Sequence, residues 1–181
     1  MVLGKRPDET VRRRRRRPNG AEREPIPMIL AEILGPQWIK VPLTATTKEA
    51  AIEEMVDILE AGGALTDRAA VLEAVLARER VRTTGIGHGL AIPHAKTTGA
   101  PRVAMAIGKP ATPLDFASID RRPVELVILV VSPEDQAGPH IQALSRVSRL
   151  LSVESFRREL FAAASAEEIH HLLVAREQAY A

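Results

Sequence analysis

The sequence predicts an α/β fold, a single domain in which a small mixed β-sheet is flanked by helices on both faces. Three observations predict it. The run Glu125 to Val131 is almost continuously apolar, the pattern of a central strand covered on both sides. Two shorter β-type runs, Leu90 to Ile92 and Val103 to Ile107, precede it. Segments with apolar residues three and four apart stand before and after these runs, so helices are available for both faces. The chain of 181 residues has room for one ordinary domain with a core able to fold unaided, and shows no internal repeat.

The elements follow in order. Residues 1–25 are polar, rich in arginine and broken by Pro7, Pro18 and Pro25, which predicts a disordered tail ahead of a domain spanning 26–181. A third reading of that boundary is a start at Met28, with the tail an upstream extension. Met28 to Leu34 forms a short apolar turn ending at Gly35-Pro36, and Ile39 to Leu43 reads as a first strand. Thr46 and Glu49 have capping-box spacing before a helix that buries Ile52, Met55, Val56 and Leu59 and stops at Gly62-Gly63. A second helix starts near Thr66-Asp67, buries Ala70, Val71, Ala74 and Val75, and ends around Arg78 to Arg80. After the strands, Ile141, Leu144, Val147, Leu150 and Leu151 make one helical face, and Phe156, Leu160 and Phe161 another. Ser165 and Glu168 then cap a last helix carrying Ile169, Leu172 and Leu173.

Composition narrows the function. There is no cysteine, which excludes disulfides, thiolate catalysis and Cys-based zinc sites and fits a cytoplasmic protein. Trp38, three phenylalanines and Tyr180 are the whole aromatic supply, so stacking platforms for bases are scarce. The pI near 9.3 misleads. Residues 1–25 hold nine cations and four anions, a net +5 within a chain of net +2, which leaves the rest at −3. A non-catalytic module with a nucleic-acid-binding arginine arm is therefore disfavoured, and no specific nucleic acid is expected. No apolar stretch approaches the roughly 20 residues of a membrane span, and no secretory signal follows the arginines.

Chemistry concentrates in Gly85-Ile-Gly-His-Gly-Leu-Ala-Ile-Pro-His94-Ala-Lys96. The alternating glycines give a backbone open to close approach by a ligand or partner, but match neither a phosphate-binding loop nor a dinucleotide fingerprint. ATP and NAD sites are unsupported, and no cofactor is expected. Pro93 tends to end or edge a strand. A histidine there can expose one ring nitrogen while a hydrogen bond fixes the other, and neutral imidazole is a competent nucleophile near pH 7. On the dipeptide alone, a loop histidine satisfied by a carbonyl is the favoured reading.

The wider frame resembles the IIA domains of the bacterial phosphoenolpyruvate-dependent phosphotransferase system, of the fructose/mannitol type, and most of all the nitrogen-related IIA regulator. The matching text is Arg78-Glu79-Arg80, Thr83-Thr84 through His94-Ala-Lys96, Pro113-Leu-Asp-Phe116, Ile119-Asp120, Pro123-Val-Glu-Leu126 and His140-Ile-Gln-Ala-Leu-Ser145. The resemblance implies that His94 is phosphorylated through Nε2 by an HPr-like phosphocarrier. It also implies that His140 is a second active-site histidine hydrogen-bonding the phosphoryl group, and that Arg78 neutralises its charge. It implies a phosphotransferase with a phosphohistidine intermediate, needing neither ATP nor magnesium. The recipient is either a set of regulatory targets, such as a sensor kinase or potassium transporter, or the IIB component of a sugar permease. A IIA unit standing alone favours regulation. The mildly acidic body suits a basic carrier surface.

Other residues are weighed against plainer roles. His88 departs from the small polar residue the resemblance leads one to expect, and is either a bystander or a neighbour of the site. A metal site of His88, His94 and His140 lacks a supporting carboxylate pattern. His170-His171 reads as helix surface, and Asp115 and Asp120 either shape the loop by the site or form turns.

Overall fold

A computed structural model describes residues 30–179; the tail over 1–25 and the start at Met28 lie outside the described residues. Six strands form one mixed sheet: β1 (Ile39–Leu43), β2 (Gly85–Gly87), β3 (Leu90–Ala91), β4 (His94–Lys96), β5 (Ala104–Pro110) and β6 (Leu126–Ser132). Their order is β1-β5-β6-β3-β2, with β4 also paired to β6. β1 lies parallel to β5, β3 and β4 lie parallel to β6, and the β5–β6 and β2–β3 pairs are antiparallel.

Every residue of β6 is buried, as its apolar run predicts. The alternation along β5 shows what covers each face. Met105 and Ile107 meet Leu30 of α1 (Leu30–Ile33), Val147 and Leu150 of α4 (Ala137–Leu151) and Leu173 of α6 (Ala166–Gln178). Gly108 points the other way, toward α2 (Lys48–Ala61), where an added Cβ would sit 2.5 Å from Met55 Sδ and from Leu43 Cδ1. The glycine lets α2 press onto the sheet. α3 (Arg68–Val81) packs beside β4, and α5 (Glu154–Ala162) joins α4 to α6. None of the described helices is long and apolar enough to cross a membrane.

The predicted helices are present with local corrections. The N-cap of α2 is Thr47, whose side chain accepts from Ala50 N, and the Thr46–Glu49 box does not form. In α3, Val71 and Val75 are buried, whereas Ala70 and Ala74 are only half-covered because small side chains at the stripe's edge reach less far into the core. In α4, Ile141 is 64% exposed, and His140 and Ala143 take its place on the buried face. Ser165 caps α6 as predicted, while Glu168 reaches back to Ala164 N instead of the cap's own amide.

β2 and β4 are strands that periodicity alone does not predict, since each has three residues. β3 and β4 both lie along β6, at Leu126–Val127 and at Val130–Ser132, and Pro93 sits between them. Proline has no amide to contribute there, and its carbonyl accepts from Val130 N. His94 therefore opens a strand rather than following one.

Candidate functional site

His94 owes its position to that interrupted edge. Its Nδ1 lies 2.8 Å from the carbonyl oxygen of Ile92. A carbonyl only accepts, so Nδ1 carries the proton and Nε2 keeps its lone pair. The predicted carbonyl-satisfied histidine is present, and that bond is compatible with the nucleophile reading. His140, on the first turn of α4, places its ring centroid 5.8 Å from that of His94. Its Nδ1 lies 2.8 Å from Ser132 Oγ at the end of β6.

Arg78, from the last turns of α3, lines the same depression as His94, a space of about 280 Å3 shared with Arg82, Thr84, Ile86 and Ile119. One Arg78 Nη1–H donates to Arg82 O at 3.0 Å, which holds the guanidinium at the rim. Beneath it, the buried Glu79 carboxylate accepts from Thr84 N at 2.9 Å and from Thr84 Oγ1 at 2.6 Å, and faces Lys48 Nζ at 3.4 Å. Glu79 thus ties α3 to the start of β2 and holds Thr84, which lines the His94 depression. The sequence reading missed its role, as it missed Ser132.

The site's electrostatics disfavour the charged form of both histidines. Burial pushes the His94 pKa below its ordinary 6.5, and the nearby Arg78 charge pushes the same way; the Ile92 carbonyl and Glu79 oppose this. Burial, with the charges of His94 and Lys96, pushes His140 down to about 4. Between pH 6.5 and 4 the unfolded chain binds a proton at this position that the folded chain refuses. Stability is therefore whole above 6.5 and is lost as the pH falls through that window. At about 1.4 kcal/mol per unit, urea unfolding at pH 5 should show His140 costing about 2 kcal/mol relative to pH 7.5. His140→Gln should flatten that slope, and an unchanged slope would refute the assignment.

Other predicted residues separate from the site. His88 is exposed at φ 57° in the turn between β2 and β3, flanked by Gly87 and Gly89 at φ 88° and 78°. Those glycines serve the left-handed turn of a tight hairpin, and a ligand is not needed to explain them. His88 lines a different cleft with Arg122, Arg157 and Phe161, so it is a bystander to His94 and the three-histidine cluster is not assembled. Asp115 accepts from Ala117 N and Asp120 from Arg122 N, so both make turns, and Asp120 also accepts from His88 N, which ties its loop to the β2–β3 hairpin. These backbone bonds hold the Asp120 carboxyl below its usual range. His171 is exposed and His170 half-buried on α6.

Two clefts of about 470 and 630 Å3 are roomier than the one at His94, yet neither is lined by a pair of histidines. The His94 depression has two cations, Arg78 and Arg82, and no carboxylate among its lining residues, and His140 stands next to His94. The acidity of the body gathers instead on α2, where Glu53 and Asp57 meet Arg68. Exposed apolar side chains also stand in this region: Ile86 and Ile119, which line the depression, are 43% and 71% exposed, and Val81, next to Arg82 in the chain, is 83% exposed.

Comparison with known proteins converges. The family model described as phosphoenolpyruvate-dependent sugar phosphotransferase system, EIIA 2, matches residues 32–175. The fructose-specific EIIABC component of Bacillus subtilis is 41% identical over 142 residues, 78% of this chain; the chain spans only 22% of that protein's length. A nitrogen regulatory protein of Bradyrhizobium diazoefficiens is 32% identical over 146 residues, 81% of this chain and 95% of its own. The crystal structure of nitrogen regulatory protein IIA-Ntr from Neisseria meningitidis superposes with a TM-score of 0.73 at 33% identity, covering 80% of this chain and 98% of that one.

Proposed function

The chain belongs to the EIIA 2 family of the phosphoenolpyruvate-dependent sugar phosphotransferase system, and from that premise we propose that His94 Nε2 is its phosphoryl acceptor. The donor is a histidine-phosphorylated, HPr-like carrier. The observation that carries this reading is the Nδ1 bond of His94 to Ile92 O, which commits one nitrogen and frees the other.

In the transfer, the P–N bond of the donor breaks as a P–Nε2 bond to His94 forms, and no proton need move. The positive charge arising on the His94 ring is shared with its Nδ1–H, whose bond to Ile92 O then strengthens. Phosphoryl transfer has a loose transition state, so positioning and charge neutralisation supply most of the catalysis. Arg78 meets the phosphoryl oxygens with its fork, and His140 lies close enough to donate from Nε2. The exposed Val81, Ile86 and Ile119 supply an apolar surface for the incoming carrier and keep water from the transferring group.

We assign the output to the regulatory, nitrogen-related branch, in which the state of His94 selects partners such as a sensor kinase or potassium transporter. Support comes from the near-complete coverage of the nitrogen regulatory relatives. The higher identity to the fructose-specific protein favours a second reading, transfer onward to a IIB permease component. Incubation with phosphoenolpyruvate, enzyme I and carrier should place one acid-labile phosphate on the chain. Mixing the product with a fructose-type IIB then separates the two: retained phosphate supports regulation, and rapid transfer supports sugar uptake. No phosphate uptake from any HPr-like carrier would end both.

A further inference from the structure

Two histidine rings lie 5.8 Å apart in this site, tilted by 49° to one another, and one nitrogen of each meets a group of opposite character. His94 Nδ1 meets a carbonyl, which can only accept. His140 Nδ1 meets a serine hydroxyl, which can donate. We infer that Ser132 is a positioning residue: its hydroxyl donates to His140 Nδ1, places the His140 proton on Nε2, and makes that histidine a hydrogen-bond donor to the group carried by His94.

The geometry leaves the serine little choice. Ser132 is fully buried at the last position of β6. Its backbone is held on the sheet by register with Lys96, and its carbonyl accepts from Thr97 N at 2.9 Å. The hydroxyl has two acceptors in reach, His140 Nδ1 at 2.8 Å and Pro133 O at 3.4 Å. The shorter contact is a full hydrogen bond and the longer one stands at the limit, so the proton goes to the ring. A buried hydroxyl left without an acceptor is penalised, which makes this bond persistent. His140 does not escape by taking a second proton, because burial and the neighbouring His94 and Lys96 oppose the cation. The pair therefore holds opposite tautomers, one nitrogen bare for attack and one N–H for the phosphoryl oxygen.

This rests on the phosphorylation of His94 for its rate effect, but the tautomers themselves are read separately. Two-bond 1H–15N spectra of the 15N-labelled chain at pH 7.5 should show His94 protonated on Nδ1 and His140 on Nε2. Ser132→Ala should leave His94 unchanged, give His140 mixed tautomers and slow phosphoryl uptake about tenfold, the worth of one hydrogen bond. Ser132→Thr, which keeps the hydroxyl, should restore both. In a His140→Ala background, Ser132→Ala should cost nothing further. A His140 proton on Nδ1 in the unaltered chain, an unchanged tautomer in Ser132→Ala, or an equal slowing without His140 would each overturn the inference. If no variant takes up phosphate while the spectra match, the reading of His94 fails and the tautomer assignment survives.

Discussion

Replacing His94 by alanine should abolish uptake of acid-labile phosphate while leaving a folded chain. The loss is total in principle, because no second nucleophile is placed to take over: His140 points its Nδ1 at Ser132, and His88 lines another cleft. At least about a thousandfold drop is expected, the scale on which removing a covalent nucleophile is felt. Stability should change little. The ring is half-buried and makes one hydrogen bond, to Ile92 O, so its removal costs about 1 kcal/mol. Intact-mass measurement after incubation with phosphoenolpyruvate, enzyme I and carrier reads the first effect, and thermal unfolding reads the second. His88→Ala, His170→Ala and His171→Ala serve as controls that should phosphorylate normally. Full phosphorylation of His94→Ala would remove the basis for the proposed function.

Much of this fold is readable from periodicity. β6 announces itself as an unbroken apolar run, and α2 by four apolar residues on one stripe, all fully buried. What periodicity hides are elements too short to show it. β2 and β4 hold three residues each and exist because β6 offers them partners, which is tertiary information. Ile141 fails for a related reason: its spacing suits the apolar face, but α4 rotates so that His140 faces inward toward Ser132.

The candidate site was legible in the residues now proposed to act and opaque in their supports. His94, His140 and Arg78 were named from the resemblance, and the fold brings all three to one depression or its edge. Glu79 left a signal that went unread. It follows Val71 and Val75 at intervals of four on α3, so a carboxylate lands on the buried stripe. Glu177 does the same after Ile169 and Leu173 on α6, and there it accepts from Leu30 N and Arg146. A charged residue in register with a core stripe must find partners, and such residues are worth seeking in sequence. Ser132 offers a weaker sign, a lone polar residue closing an apolar strand. The carbonyl of Ile92 offers none, since a backbone atom has no letter of its own.

Arg78 carries the second large effect. Its guanidinium gives one Nη1–H to Arg82 O, and the rest of the fork stands at the rim of the His94 depression. Arg78→Ala should slow phosphoryl uptake by about a hundred- to a thousandfold, the range for losing one preorganised charge contact in a transition state. Arg78→Lys should recover only part of it, because a point charge lacks the planar fork that meets two oxygens. A second observable separates this role from a structural one. The Arg78 charge helps hold the His94 pKa down, so its removal should move that pKa back toward 6.5. The histidine of Arg78→Ala then carries more proton near neutrality, and its residual activity should fall off at a higher pH than in the unaltered chain. Arg82→Ala, which removes a cation from the same lining but leaves its carbonyl in place, should produce a smaller slowing. If Arg78→Ala changed neither the rate nor the His94 titration, the guanidinium would be only a helix-end cap holding Arg82 O. Charge neutralisation would then have to come from elsewhere on the rim, and Arg82 is the other cation placed there to supply it.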